Sequence, residues 1–289
     1  MTWQFTLTGL LIGSIVGLTG MGGGSLMTPI LVIIFGFKPT YAVGTDIVHG
    51  AIFKSFGAIR HRRLGTVHAR LTLWMFAGSG PLSLLGVWVS HKIHAENTMS
   101  YAIGAALVAG GVGFLLKSFI KRGIKPSDAP FLLNTRDKIL ALLIGAVFGF
   151  VVGLTSVGSG TFFGLVMVLV YPLTMAKIVG TDIFHAAALL WVAGIGHMVG
   201  GNVDYHATAW LLTGSIPGVL ISSRFTVRLP DMVLRIALGT ILTLSGLKLL
   251  EVPQAQWILL GGLIALGVGL VAYGVTAWRG RPSLQTASG

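Results

Sequence analysis

With 289 residues, 54% of them hydrophobic and only 10% charged, and a mean hydropathy of +0.86, the chain is too apolar for a soluble globular protein. Its formal charge of +12 would suit a nucleic-acid partner, but the basic residues cluster in short stretches between apolar runs, where membrane topology accounts for them. The absence of cysteine excludes disulfides, thiolate metal sites and cysteine nucleophiles.

Eleven apolar segments follow one another, at about 3–20, 25–37, 41–59, 71–90, 99–117, 139–155, 160–172, 178–199, 207–223, 232–249 and 256–278. They are continuously apolar and do not alternate, which excludes a membrane β-barrel and predicts an all-α polytopic membrane protein with about 9–11 membrane segments. No Lys or Arg precedes the first run, so no cleaved signal peptide is expected.

Segments two and seven are too short to cross at 1.5 Å per residue, since a crossing takes ~20 residues. They read as broken or re-entrant half-helices. Numbering the loops alternately puts Arg60, Arg62, Arg63, Arg70, the basic residues from Lys117 to Lys138, Arg224, Arg228, Arg235, Arg279 and Arg281 on one side. Lys38, Lys92 and Lys248 fall on the other. The basic side is expected to be cytoplasmic, with the N-terminus outside and the C-terminus inside.

The sequence also repeats itself. Shifted by 136 residues, Gly13-Ser-Ile-Val-Gly-Leu-Thr-Gly-Met-Gly-Gly-Gly-Ser falls on Gly149-Phe-Val-Val-Gly-Leu-Thr-Ser-Val-Gly-Ser-Gly-Thr. Val43-Gly-Thr-Asp-Ile-Val-His falls on Val179-Gly-Thr-Asp-Ile-Phe-His without a gap. Roughly a third of positions agree, so the chain is an internal duplication. The reading is a first repeat over 1–118, a basic linker over 119–137, a second repeat over 138–250, and an extra helix with a tail over 251–289. The charge pattern makes the copies inverted, and sites in inverted-repeat transporters lie where the repeats meet.

Two constellations bear on a site. Gly22, Gly23, Gly24 and Ser25 open segment two, and Gly158, Ser159, Gly160 and Thr161 open segment seven. Free N–H groups at two facing helix N-termini would cradle a small anion, while close helix packing by small residues is the competing reading. No Lys follows the glycines and no strand precedes them, which excludes P-loop and dinucleotide readings.

The second constellation is the tetrad Asp46-x-x-His49, preceded by Thr45, and its copy Asp182-x-x-His185, preceded by Thr181. An Asp inside an apolar segment costs on the order of 2.5–3.5 kcal/mol and needs a partner or a task. Helix capping and proton coupling, with the Asp fixing the His tautomer, both remain open. Lys54 lies on the face of Asp46 and has Leu190 as its counterpart, so it reads either as a counter-ion or as a lysine snorkelling toward Arg60. His61 and His197, at segment ends, are expected at the interface, like Trp74 and Trp210; Pro81 and Pro217 are expected to kink their helices and line a cavity. No cofactor, metal or catalytic residue is expected. The expected partners are a small anion, lipid and a coupling proton.

Together, Gly17-Leu18-Thr19-Gly20-Met21-Gly22-Gly23-Gly24-Ser25, Ala42-Val-Gly-Thr-Asp46 and Arg60-His-Arg-Arg-Leu-Gly-Thr-Val67 resemble the TauE/SafE sulfite-exporter family, over about residues 5–250. The resemblance implies an inner-membrane transporter, by preference an exporter, of sulfite, sulfonates or related anions. A passive anion channel and an intramembrane His/Asp enzyme remain alternatives. The internal duplication makes a monomer sufficient, while the small residues from Gly104 to Gly113 offer a face for a homodimer.

Overall fold

The structure is a computed structural model; it describes residues 2–19, 24–93, 95–119, 131–222, 231–255, 257 and 260–262. Ten helices account for most of these: α1 (Thr2–Thr19), α2 (Gly24–Ile33), α3 (Pro39–Arg63), α4 (Ala69–Lys92) and α5 (Glu96–Phe119), then α6 (Thr135–Thr155), α7 (Phe162–Val170), α8 (Met175–Val199), α9 (Tyr205–Ser222) and α10 (Asp231–Leu249). Four stretches among the described residues are both long and apolar enough to cross a bilayer, Ala69–Lys92, Glu96–Leu116, Thr135–Thr155 and Met175–Val199. The expected segment 256–278 lies outside the described residues except at 257 and 260–262, which are helical; the linker is described only at its ends.

Local signals explain most boundaries. Pro39 opens α3 at a position where its missing N–H costs nothing. Asn134 and Asp137 form a reciprocal capping box at the start of α6. α3 runs past its expected end at 59 to include Arg60, Arg62 and Arg63, which therefore belong to the helix's last turn and not to a loop. Cations there face the negative end of the helix dipole, which favours the extra turn. α2 and α7, with 10 and 9 residues, reach only about 15 Å, half a bilayer core.

The most extensive packing pairs α4 with α6, α1 with α9, α5 with α10, and α3 with α8. Each pair joins the two halves of the chain. Glycine makes these approaches possible: a Cβ at Gly9 would overlap the Leu211 carbonyl, one at Gly145 the Met75 carbonyl, one at Gly78 the Leu142 carbonyl and one at Gly214 the Thr6 carbonyl. Gly104 and Gly111 do the same against α10, a Cβ on Gly104 lying 2.9 Å from the Gly246 oxygen; Gly110 and Gly113 face Phe162 and Leu165. The small residues from Gly104 to Gly113, which offer a face for a homodimer as the alternative to a monomer, pack here against α10 and α7. Pro81 and Pro217 do lie inside α4 and α9, but Pro81 is exposed on the outer surface and lines nothing inside; the neighbouring Gly78 and Ser79 face inward.

α3 and α8 form the centre, with Asp46, His49 and Lys54 buried on one and Asp182 and His185 on the other. Asp46 is the eighth residue of α3 and Lys54 the sixteenth, which puts them about 10 Å and 22 Å along its axis.

Candidate functional site

The second helix break is well formed. α6 ends on Ser156 in a left-handed conformation (φ 63°), and Gly158 and Gly160 follow at φ 123° and 118°, where a side chain is strained. α7 begins only at Phe162, so Gly158, Ser159 and Gly160 form the turn ahead of the helix, and Thr161 sits at its N-cap with no side-chain capping bond. The Thr155 hydroxyl stabilises the turn by donating to the Val151 carbonyl (2.7 Å) and accepting from the Val157 N–H (3.2 Å).

This turn meets the start of α2. The Gly158 N–H donates to the Ser25 hydroxyl at 3.4 Å, so a residue of one glycine stretch touches the other. Asp46 ties the same elements together: Thr28 of α2 and Ser156 of the turn both donate hydroxyl hydrogens to Asp46 Oδ2, at 2.6 and 2.9 Å. Lys54 reaches the turn from α3 and donates to both the Ser159 carbonyl and the Ser159 hydroxyl, the latter at 2.9 Å. At 4% exposure it does not snorkel, which corrects that expectation: the turn offers two acceptors, and two carboxylates compensate the charge. The ammonium interacts electrostatically with Asp46, Asp182, His49 and His185, all four ionisable members of the tetrads. Gly22 and Gly23 lie outside the described residues, and Gly24 is the first residue of α2.

The sequence profile of the family described as Sulfite exporter TauE/SafE matches residues 5–249. The chain belongs to the TauE/SafE family. It is 39% identical over 255 residues to a Bacillus subtilis protein named "Probable membrane transporter protein YjnA", covering 86% of this chain and all of that one. It is 26% identical over 241 residues to "Probable membrane transporter protein YdhB" of the same organism, 83% of this chain and 96% of the other. An archaeal relative, "Probable membrane transporter protein MJ0441" of Methanocaldococcus jannaschii, is 23% identical over 265 residues, 84% and 93% of the two chains. No solved structure matches.

Within this TauE/SafE chain the remaining tetrad residues and the threonines before them divide by task. The hydroxyl of Thr45 accepts the Asp204 N–H (3.0 Å) and that of Thr181 the His68 N–H (2.9 Å), so both hold the chain where it turns into α9 and α4, apart from the glycine turn. His49 does not lean on Asp46. Its Nε2 pairs with Ser215 of α9 at 2.9 Å, and His185 Nε2 pairs with Ser79 of α4 at 2.8 Å. Three residues on a helix put Asp and His on one face, but the ring reaches a neighbouring helix first. Asp182 is buried beside Gly164, the counterpart of Thr28; a Cβ there would lie 3.3 Å from Asp182 Oδ2. Among the described residues, the buried Thr161 Oγ1 and His185 Nδ1 have no hydrogen-bond partner.

His197 also departs from expectation. It is fully buried: Nε2 donates to the Gly153 carbonyl (3.1 Å), which leaves Nδ1 as the acceptor for His91 Nε2 (3.3 Å). Position at a helix end gave no measure of depth, because α6 covers the inner face of α8 at that level. Trp74 and Trp210 are both 38% exposed.

Proposed function

We propose that the protein is a secondary-active transporter of a small sulfur-containing anion, sulfite or an organosulfonate, working by alternating access between two inverted repeats. One observation carries this reading. A buried ammonium, Lys54, is hydrogen-bonded to Ser159 in the turn where the two half-helices meet, beside the Gly158–Ser25 contact. An anion entering there exchanges the Ser159 oxygens on Lys54 for its own and draws on backbone N–H groups of 22–25 and 158–161, with Ser25, Ser159 and Thr161 as hydroxyl donors. The Thr161 hydroxyl and His185 Nδ1, unpaired among the described residues, supply polar capacity for such a guest.

Charge favours a coupling proton. The described buried groups with full formal charge are Asp46, Asp182 and Lys54, already one negative charge in excess. Adding an anion deepens that excess in a low-dielectric core; taking up one proton with it restores the balance. Asp46, Asp182, His49 and His185 are the candidates to carry that proton. The family name supports export, and the arginine distribution supports an inner-membrane protein with its N-terminus outside and its C-terminus inside.

The test is thermal stability of purified protein against sulfite, sulfate, thiosulfate, taurine, isethionate, sulfoacetate, sulfolactate, acetate and chloride, each at two pH values. A ligand of the folded state raises the melting temperature by mass action. A selective rise for one sulfur anion, lost in Lys54→Met, is the expected result. No rise for any anion, or a rise that survives Lys54→Met unchanged, overturns the site.

A further inference from the structure

The C-terminal third of α3 carries two outward-facing grooves that the transport reading does not use. One, of about 560 Å³, runs between α3 and α8 and is lined by Ser55, Ala58, Ile59, Arg62, Arg63 and Phe184. The other, of about 490 Å³, lies on the adjoining side and is lined by Phe56, Ile59, Arg60, Arg63 and Leu64. They share Ile59 and Arg63. Exposed apolar side chains stand in their walls, Ile59 at 53% in both and Phe56 at 57% and Leu64 at 62% in the second, and two arginines line each.

Three arginines within four residues exceed what the helix end requires, since the C-terminal dipole is equivalent to only about half an elementary charge. Among the described residues no carboxylate forms an ion pair with Arg60, Arg62 or Arg63; the ion pair found there is Lys38–Glu96, at 3.3 Å. Arg62 is instead steadied by the Phe184 ring, its guanidinium carbon 5.7 Å from the ring centroid. Cation–π stacking holds the group while leaving its N–H edge free for a planar or tetrahedral anion.

We infer that this surface seats one anionic glycerophospholipid, its two acyl chains straddling Ile59 along the two grooves and its phosphate on Arg63 and Arg62. Two apolar channels that share a cation paired with no described carboxylate match a two-chain amphiphile with a charged head, and a basic pocket between membrane helices is a known setting for such headgroups. A free inorganic anion would use the arginines but not the grooves, and a zwitterionic lipid would use the grooves while lacking net charge for the arginines. This inference is independent of the transport site, which Lys54 approaches from the buried side of α3.

The experiment is native mass spectrometry and thermal melting of the detergent-purified full chain with added phosphatidylglycerol, phosphatidylcholine or inorganic phosphate. Wild-type protein is expected to retain one phosphatidylglycerol and to melt higher with it, and to respond to neither of the other two. Arg63→Ala is expected to weaken retention about tenfold or more, because charge-assisted guanidinium–phosphate bonds are lost. Arg136→Ala, an exposed arginine at the start of α6 outside both grooves, removes the same charge and is expected to retain the lipid as wild type does. Equal retention of phosphatidylcholine, equal stabilisation by phosphate, or equal loss in Arg136→Ala overturns the inference. If Arg63→Ala does not fold, the wild-type comparison of the three additives still decides it.

Discussion

The two copies of the repeat share their scaffold and differ in their chemistry. His49–Ser215 and His185–Ser79 are the same contact displaced by 136 residues in both partners, as are Thr45–Asp204 and Thr181–His68. The glycine approaches of α1 on α9 and of α6 on α4 correspond in the same way. Around the aspartates the match stops. Asp46 accepts from Thr28 and Ser156, whereas Gly164 stands where Thr28 would be in the second copy, and Leu190 stands in place of Lys54. Interactions that hold helices together have been kept twice, while the cation occurs once. A centre built from two copies therefore carries a single positive pole, at Lys54.

The largest way to break this comparison is Lys54→Met. It leaves Asp46 and Asp182 buried without their cation, and such a loss costs about 3–5 kcal/mol. Melting in detergent should fall steeply at neutral pH and recover in the added Asp182→Asn background; no recovery would mean that Lys54 acts through Ser159 alone. Next is Thr28→Val, which removes a hydrogen bond to a charged acceptor worth about 1.5–3 kcal/mol, a loss with no equivalent at Gly164. Gly164→Ser would then sharpen the contrast by offering Asp182 a hydroxyl, with the tight 3.3 Å Cβ position setting its cost.

Gly9→Ala and Gly145→Ala are expected to destabilise by similar amounts, about 1–3 kcal/mol each, because both push a methyl into a partner helix carbonyl. Unequal melting shifts would show that the α1–α9 and α4–α6 seams are not equivalent. Ser79→Ala and Ser215→Ala should each cost about 1 kcal/mol in stability. Their effects on anion flux in proteoliposomes should differ from one another only if the asymmetry around Lys54 reaches the histidines.

Much of this was legible beforehand, for physical reasons. Apolar runs and glycine spacing exposed the helices, the duplication and the shortness of α2 and α7, because a bilayer permits few alternatives. Asp46 and Asp182 stood out since acidic groups in such runs are rare. Depth and partnership were harder to see. The sequence leaves Lys54 open between a counter-ion and a snorkelling lysine, because its stem is long enough for either; the Ser159 turn, folded back from more than a hundred residues away, shows where it goes. His197 lies deeper than its place at a helix end suggests for the same reason, since what covers a helix face depends on distant chain. The arginine grooves combine residues close on one helix, yet Phe184 joins them only through the α3–α8 pairing.

That pairing has a bearing on how the protein is made. α1 ends at Thr19, and its principal neighbour, α9, is not complete until Ser222. At synthesis rates of about 5–20 residues per second, the first helix waits on the order of 10–40 s in the membrane with Gly9 and Gly13 facing lipid or the insertion machinery. During that interval its glycine face is open to any other helix with a matching ridge. The α1–α9 seam is therefore a late event in the life of the chain: α1 gains the partner for its glycine face only after α9 has been made.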